Sequence, residues 1–214
     1  MNLADRPQTF GEELANGISH GIGFLLAIAS LPILLSFGQA GNTAINIVAA
    51  CVFSATMTML YLVSTLYHAW PPGRAKAWLN RFDHAAIYLF IAGSYTPFAL
   101  GALSGPWGWT LFGLVWTFAA LGATLKAFDR LNHPWLSTGL YLAMGWLVLI
   151  AAVPLIERVP RMGVALLVAR GLVYSLGVVF YLLDSRWRYA HAVWHGFVVV
   201  GTACHFFAVL GYAA

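Results

Sequence analysis

Charged side chains are scarce in this chain. Only 8% of the 214 residues are Asp, Glu, Lys or Arg, whereas 61% are apolar. A soluble domain has about 25% charged residues, and it could not bury this much apolar surface. The composition therefore excludes a soluble globular fold and predicts a polytopic protein of the cell membrane. The net charge of +4 comes from basic residues scattered through short loops, so no nucleic-acid partner is expected.

Cysteine is equally scarce, because the chain has only Cys51 and Cys204. Both lie within apolar runs and far apart in sequence, so a disulfide framework is not expected. The absence of a CxxC pair excludes the common cysteine-based metal motifs. The seven histidines are therefore the residues to examine for a metal site.

Long apolar runs dominate the rest of the chain, and each is near the ~20 residues that cross a bilayer as a helix. Backbone polar groups in hydrocarbon must be satisfied within each segment, so an all-α fold is expected rather than a barrel of short strands. The sequence predicts one domain, residues 1–214, with seven transmembrane helices. Their expected ranges are 18–38, 44–69, 83–103, 108–126, 135–154, 163–183 and 190–212.

The basic residues predict the orientation of this bundle. In alternating loops, one side of the membrane receives eight basic residues, whereas the other receives only Arg158 and Arg161. Because short cytoplasmic loops are enriched in Lys and Arg, the N-terminus is expected in the cytoplasm and the C-terminus outside. The eight are Arg6, Arg74, Lys76, Arg81, Lys126, Arg130, Arg186 and Arg188.

Several histidines fall at the cytoplasmic ends of the predicted helices. His191 and His195 are four residues apart and share a helix face, with Cβ atoms about 6 Å apart. His68, at the end of the second run, lies at the same depth, so these three side chains could hold one zinc ion. From spacing alone, histidines that meet headgroups or water remain an alternative. His205 is ten residues beyond His195 and about 15 Å deeper, so it is expected to be a separate, buried hydrogen-bonding histidine.

Polar residues at the same depth are candidates for the chemistry. Asp83, at the start of the third run, could hydrogen-bond a water beside the metal and act as general base. The alternative for Asp83 is a helix N-terminal residue stabilised by the helix dipole. Ser64 shares a face with His68 and could polarise a substrate carbonyl, or it could only bond its own helix. His20 and Glu13 are expected near the site without being ligands.

Four motifs in this order resemble the hemolysin III family, the bacterial branch of the progestin and adipoQ receptor superfamily. They are ELANGISH (13–20), STLYH (64–68), DHAAIYLFIAGSYTPF (83–98) and HAVWH (191–195), followed by His205. The resemblance implies an adiponectin-receptor-like bundle with a cytoplasmic N-terminus and a zinc ion (Zn²⁺) on His68, His191 and His195. It also implies that Asp83 contacts the water of the metal. Related alkaline ceramidases hydrolyse lipid amides, and bacterial members are linked to haemolysis and membrane homeostasis.

Three functions follow from these residues. The first is a zinc-dependent hydrolase of lipid amide or ester bonds, whose lipid substrate enters from the bilayer. The second is a non-enzymatic sensor or receptor of membrane state in which zinc is structural. The third is a cytolytic pore-former, which is disfavoured because no predicted span carries a polar stripe along its whole length. Membrane lipids are the expected partners in all three, and the oligomeric state is left open.

Overall fold

The structure is a computed structural model that describes residues 6–38, 43–131 and 133–213. These residues form helices and no strands, which confirms the all-α prediction. A short 3₁₀ segment, Leu147–Ala151, joins two of the helices. The helices are α1 (Phe10–Phe37), α2 (Ala44–Ala69), α3 (Arg74–Leu100), α4 (Pro106–Ala127), α5 (Pro134–Gly145), α6 (Ala152–Arg158), α7 (Arg161–Leu182) and α8 (Ala190–Tyr212).

Six helical segments among the described residues are long and apolar enough to cross a membrane. These six are α1, α2, α4, the continuous stretch Pro134–Arg158, α7 and α8. Their outward faces carry many large apolar side chains, such as Leu25, Phe118 and Leu176, each more than 40% exposed. The chain is therefore a multi-pass membrane protein. The remaining long helix, α3, does not meet the same apolar criterion.

The first helix begins eight residues before the predicted start at residue 18. Thr9 caps it: the Thr9 hydroxyl accepts from the Glu12 amide at 3.4 Å, and the Glu12 carboxylate accepts from the Thr9 amide at 2.9 Å. This reciprocal pair is a capping box, which starts a helix even in a polar segment. The prediction was wrong here because it followed only the apolar run.

The third helix also begins earlier than predicted, at Arg74 instead of residue 83. Its first turns are polar, and the Lys76 ammonium donates to the carbonyl oxygens of Tyr67 and Trp70 at the end of α2. From Asp83 to Ala99 the helix is almost entirely buried among its neighbours. Asp83 is thus nine residues inside α3, so the alternative of a helix-capping aspartate is wrong.

The fifth predicted span, 135–154, is broken in the middle. It consists of α5, the 3₁₀ segment and α6, and it extends to Arg158. Tyr95 of α3 supplies hydrogen bonds at the break, because its hydroxyl lies 2.9 Å from the carbonyl oxygens of Met144 and Gly145 and 3.0 Å from the amide of Val148. Backbone groups freed inside a membrane need such partners.

The other predicted spans agree closely with the structure. The second and seventh coincide with α2 and α8, and the fourth and sixth differ from α4 and α7 by at most two residues at either end.

Close packing orders the bundle around α3. The helix packs against α2 and α4 on its flanks and touches α5 and α8, while α8 lies between α1 and α7. Glycines permit some of these approaches: a Cβ on Gly23 would lie 2.6 Å from the ring of Tyr61. The arrangement brings the start of α1, the end of α2, the first half of α3 and the start of α8 to one end of the bundle.

Candidate metal centre

Three histidine side chains meet at that end of the bundle. His68 comes from the last turn of α2, and His191 and His195 come from the first two turns of α8. One ring nitrogen of each lies within 4.8 Å of the others. His68 and His195 are buried, whereas His191 is half-buried. The structure therefore joins the three residues that the sequence analysis grouped.

Each of these imidazoles makes a hydrogen bond through its Nδ1 atom. His68 Nδ1 lies 2.7 Å from the Glu13 carboxylate, and His191 Nδ1 lies 2.9 Å from the Asp184 carboxylate. His195 Nδ1 lies 3.2 Å from the backbone carbonyl oxygen of Asn16. A carboxylate or carbonyl oxygen can only accept a hydrogen bond, so Nδ1 carries the hydrogen in each ring. This tautomer leaves the lone pair of Nε2 free to bind a metal. Histidines that bind metals typically make such hydrogen bonds with the other ring nitrogen.

The donor set fits a zinc ion. His68 Nε2 is buried and has no hydrogen-bond partner, which is costly unless a ligand fills the space. Three neutral imidazoles with an open fourth position are the pattern of catalytic zinc sites. Tetrahedral zinc with bonds of about 2.1 Å holds its ligands about 3.4 Å apart. The three histidine nitrogens lie within 4.8 Å of one another, so each would move by about 1 Å or less to reach that spacing.

Asp83 and Ser64 line the same space as the cluster. Both side chains are buried, Asp83 being 8% and Ser64 1% exposed. Together with His191 and His195 they face a cavity of about 100 Å³. These positions are compatible with the predicted catalytic roles, which remain predictions.

His20 and Glu13 also lie at the cluster, as expected from the sequence. The His20 ring stacks on His195, with centroids 3.4 Å apart and planes within 7°. Its Nδ1 lies 2.7 Å from the Ser64 hydroxyl. His20 is not among the three histidines that could hold a metal ion. Glu13 bonds His68 and also forms an ion pair of 2.9 Å with Lys76. Both residues support the cluster from the side of α1.

Sequence reasoning missed two residues that hold the cluster, Asp184 and Asn16. Asp184 lies in the loop before α8, where Tyr189 adopts a positive φ of 60°. The Tyr189 amide donates to the Glu12 carboxylate at 3.0 Å, which ties this loop to α1. A signal was available for Asp184, since only seven acidic residues occur in the chain and it precedes His191 by seven positions. Asn16 acts through its backbone carbonyl, which no sequence pattern reveals.

Three further polar side chains make hydrogen bonds outside the histidine cluster. His84, adjacent to Asp83, bonds the Asn80 carbonyl at 2.8 Å through Nδ1. His205 Nε2 lies 2.6 Å from the Ser94 carbonyl oxygen, in keeping with the hydrogen-bonding role predicted for it. Arg170, in α7, donates to the Ser94 hydroxyl at 2.7 Å.

The cavity beside the cluster has an amphipathic lining. Its polar lining includes His191, His195, Asp83 and Ser64, and Arg170 also contributes to it. The rest of the wall is largely apolar or aromatic and includes Leu60, Ile87, Ile91, Leu142, Trp194 and Val198. A lipid with a polar bond near one end of a hydrocarbon chain matches such a lining.

Comparison with known proteins identifies the family. The family model described as "Haemolysin-III related" matches residues 8–206. The chain belongs to the hemolysin III family. Hemolysin-3 of Bacillus cereus is 44% identical over 201 residues, which are 94% of this chain and 91% of that protein. The Hemolysin-3 homolog of Bacillus subtilis (strain 168) is 44% identical over 204 residues, 95% of each chain.

A more distant relative connects the family to the wider superfamily. The human monocyte to macrophage differentiation factor is 30% identical over 174 residues, 77% of this chain and 70% of that protein. This similarity supports the predicted link to the progestin and adipoQ receptor superfamily. The motifs quoted from the sequence were therefore sufficient to recognise this hemolysin III protein.

Proposed function

We propose that this hemolysin III protein is a zinc-dependent hydrolase of lipid amide or ester bonds that acts in membrane homeostasis. The observation that carries the proposal is that His191 and His195 of the cluster line a largely apolar cavity that Asp83 also lines. A metal ion that only stabilises the fold does not need a neighbouring cavity or a buried carboxylate beside it.

His68, His191 and His195 would hold the ion, with Glu13, Asp184 and the Asn16 carbonyl orienting their rings. When bound, zinc polarises a carbonyl oxygen and lowers the pKa of a water molecule.

The other side chains have separate tasks in this proposal. The Asp83 carboxylate would accept a proton from the attacking water and return it to the leaving amine or alcohol. The Ser64 hydroxyl, which lines the same cavity as Asp83, would hold that carboxylate in place. The apolar wall would bind the acyl chain and exclude bulk water from the reacting bond.

We further infer seven transmembrane helices, a cytoplasmic N-terminus and residence in the bacterial inner membrane. Six segments are apolar enough to span. The seventh, α3, is 27 residues long, and its buried part faces other helices rather than lipid. Polar residues are tolerated in a span that is surrounded by protein. An odd number of spans and the excess of Lys and Arg on one side together put the C-terminus outside.

Turnover by purified protein tests the catalytic proposal. Protein in detergent with zinc content confirmed is incubated with N-acyl and O-acyl lipids, including ceramides, and released fatty acids are measured by mass spectrometry. We expect hydrolysis, and an Asp83→Asn variant should lose about 10²- to 10⁴-fold in rate while retaining zinc. Asp129→Asn, which alters an exposed carboxylate paired with Arg81, is the matched control. Zinc-loaded protein that cleaves none of these lipids would contradict the proposal.

A non-enzymatic sensor with structural zinc is the second candidate. It is favoured by the way in which the cluster and its supporting residues join α1, α2 and α8. In that case, Asp83→Asn in the intact cell should preserve the cellular role, whereas His68→Ala should destabilise the fold. If the protein is a hydrolase, both variants should lose its cellular role.

A further inference from the structure

A buried positive charge with no ion-pair partner among the described residues lies near the middle of α7. Arg170 is the tenth of 22 residues in this helix and is only 7% exposed. An ionised side chain inside a membrane span is costly unless it is paired. The charge therefore needs a compensating group.

The contacts of the Arg170 guanidinium within the described part of the chain are with neutral groups. The guanidinium donates to the Ser94 hydroxyl at 2.7 Å and lies over the rings of Tyr95 and Tyr174, at 6.0 and 5.4 Å. The ion pairs within the described ranges all involve other residues, such as Glu13 and Asp184. Arg170 Nε is buried and has no hydrogen-bond partner. A donor of a charged side chain is thus left unsatisfied.

The unsatisfied guanidinium borders a second cavity. This cavity has a volume of about 140 Å³ and adjoins the one beside the histidines, with which it shares Gly145, Trp146, Arg170 and Gly171. Ser94 and His205 flank Arg170 at its polar end. The other walls are apolar and include Leu103, Leu111, Leu155, Val164 and Leu167. The cavity thus pairs one cationic end with a hydrocarbon-like remainder.

Side chains exposed on the outer surface of the bundle form part of the wall of the second cavity. Leu149, Ile156 and Val168 form part of its wall, yet they are 61%, 64% and 46% exposed on the outer surface of the bundle. From Arg170 to Val164, the α7 side of the cavity extends about 9 Å along the helix axis. A chain longer than that would emerge between these exposed side chains into the bilayer.

We propose that this cavity binds a single-chain amphiphile with a carboxylate head, a long-chain fatty acid, through a salt bridge to Arg170. A guanidinium binds a carboxylate with two parallel hydrogen bonds, and the apolar walls receive the chain. A two-chain phospholipid fits less well, because Arg170 is about 13 Å from the start and about 18 Å from the end of α7, and the headgroup would have to leave the interface. The site does not depend on the proposed hydrolysis.

The fatty-acid site lies apart from the histidine cluster. His205, on its wall, is ten residues and therefore about 15 Å along α8 from His195. A carboxylate bound by zinc and a carboxylate bound by Arg170 are consequently two distinguishable events. Removal of the metal should abolish the first and leave the second unchanged.

Binding of palmitate to purified protein in detergent tests the proposal, with the uncharged hexadecanol as matched ligand. We expect Arg170→Met to bind palmitate about 10- to 100-fold more weakly and to bind hexadecanol as the wild type does. Ser94→Ala removes one hydroxyl beside the guanidinium and should give a smaller loss, which provides a second variant if Arg170→Met folds poorly. His191→Ala and chelator-treated protein should bind palmitate with unchanged affinity.

Three results would overturn the proposal. Equal palmitate affinity in the wild type, Arg170→Met and Ser94→Ala would show that the guanidinium does not bind the head. Loss of palmitate binding on chelation or in His191→Ala would place the carboxylate at the metal cluster. Competition by chloride, together with equal binding of palmitate and hexadecanol, would show that an inorganic anion compensates the charge of Arg170.

Discussion

Replacing Asp184 by Asn tests whether the groups behind the histidines control metal binding. The Asp184 carboxylate accepts from His191 Nδ1 at 2.9 Å. An asparagine amide oxygen can still accept that hydrogen bond, but it does not carry the negative charge that makes the imidazole a stronger ligand. The substitution therefore isolates the charge from the geometry, and Asp184→Ala removes both.

The size of the effect follows from the exposure of the pair. Loss of such a partner commonly weakens metal binding by about 10- to 100-fold. The Asp184 side chain is 30% and the His191 side chain 14% exposed, so water partly screens the interaction. We expect Asp184→Asn near the lower limit, about 10-fold or about 1.4 kcal/mol. Asp184→Ala should lie nearer the upper limit.

Zinc affinity is measured by competition with a chromogenic chelator for wild-type protein and both variants. The control is Asp129→Asn, since this carboxylate pairs with Arg81 at 2.8 Å and is not among the residues holding the histidines. Zinc affinities within about two-fold for the wild type and both Asp184 variants would refute the reasoning, because Asp184 would then have no role in presenting His191 to the metal.

Three further predictions concern stability. Removing zinc with a chelator should lower the melting temperature by about 5–10 °C when zinc had been near 100 times its dissociation constant, and His195→Ala should show no such shift. Gly23→Ala should lower the free energy of unfolding by about 1–3 kcal/mol, because the added methyl group would clash with the ring of Tyr61. Gly113→Ala, with nothing within 4 Å of the added Cβ, should leave the melting temperature unchanged. Equal melting temperatures for the two variants would contradict the packing account. Tyr95→Phe should cost about 1–3 kcal/mol because it removes the hydroxyl at the α5 break, and an unchanged melting temperature would show that these bonds are dispensable.

Apolar run length predicted the helices well where a run ends at a clear signal. The second run begins after Thr43, whose hydroxyl caps α2, and ends before Pro71. Apolar run length failed at the first turns of α3, because that segment is polar. Its partners are backbone carbonyls at the end of α2, and no apolar pattern reveals such a contact. The break at Trp146 was equally invisible, since Tyr95, 51 residues earlier, supplies its hydrogen bonds.

The candidate site shows the same division. The i, i+4 spacing of His191 and His195 is a local property of α8, so sequence alone placed them together. The approach of His68 required the depth argument from topology, and the structure agrees with it. The supports Asp184 and Asn16 could not be assigned, because their positions depend on how a loop and α1 pack against α8. Arg170 could be recognised as costly, but its two cavities emerge only from the packed bundle.

Metal analysis of the purified protein tests the central claim most directly. Wild-type protein, His68→Ala, His191→Ala and His195→Ala are purified without added chelator, and their metal content is measured by mass spectrometry. His205→Ala serves as the control, because this histidine lies deeper in the bundle and bonds Ser94. The account predicts about one zinc per chain in the wild type and the control, and a large loss in the other three. Zinc-free wild-type protein, or equal zinc in all five, would contradict it.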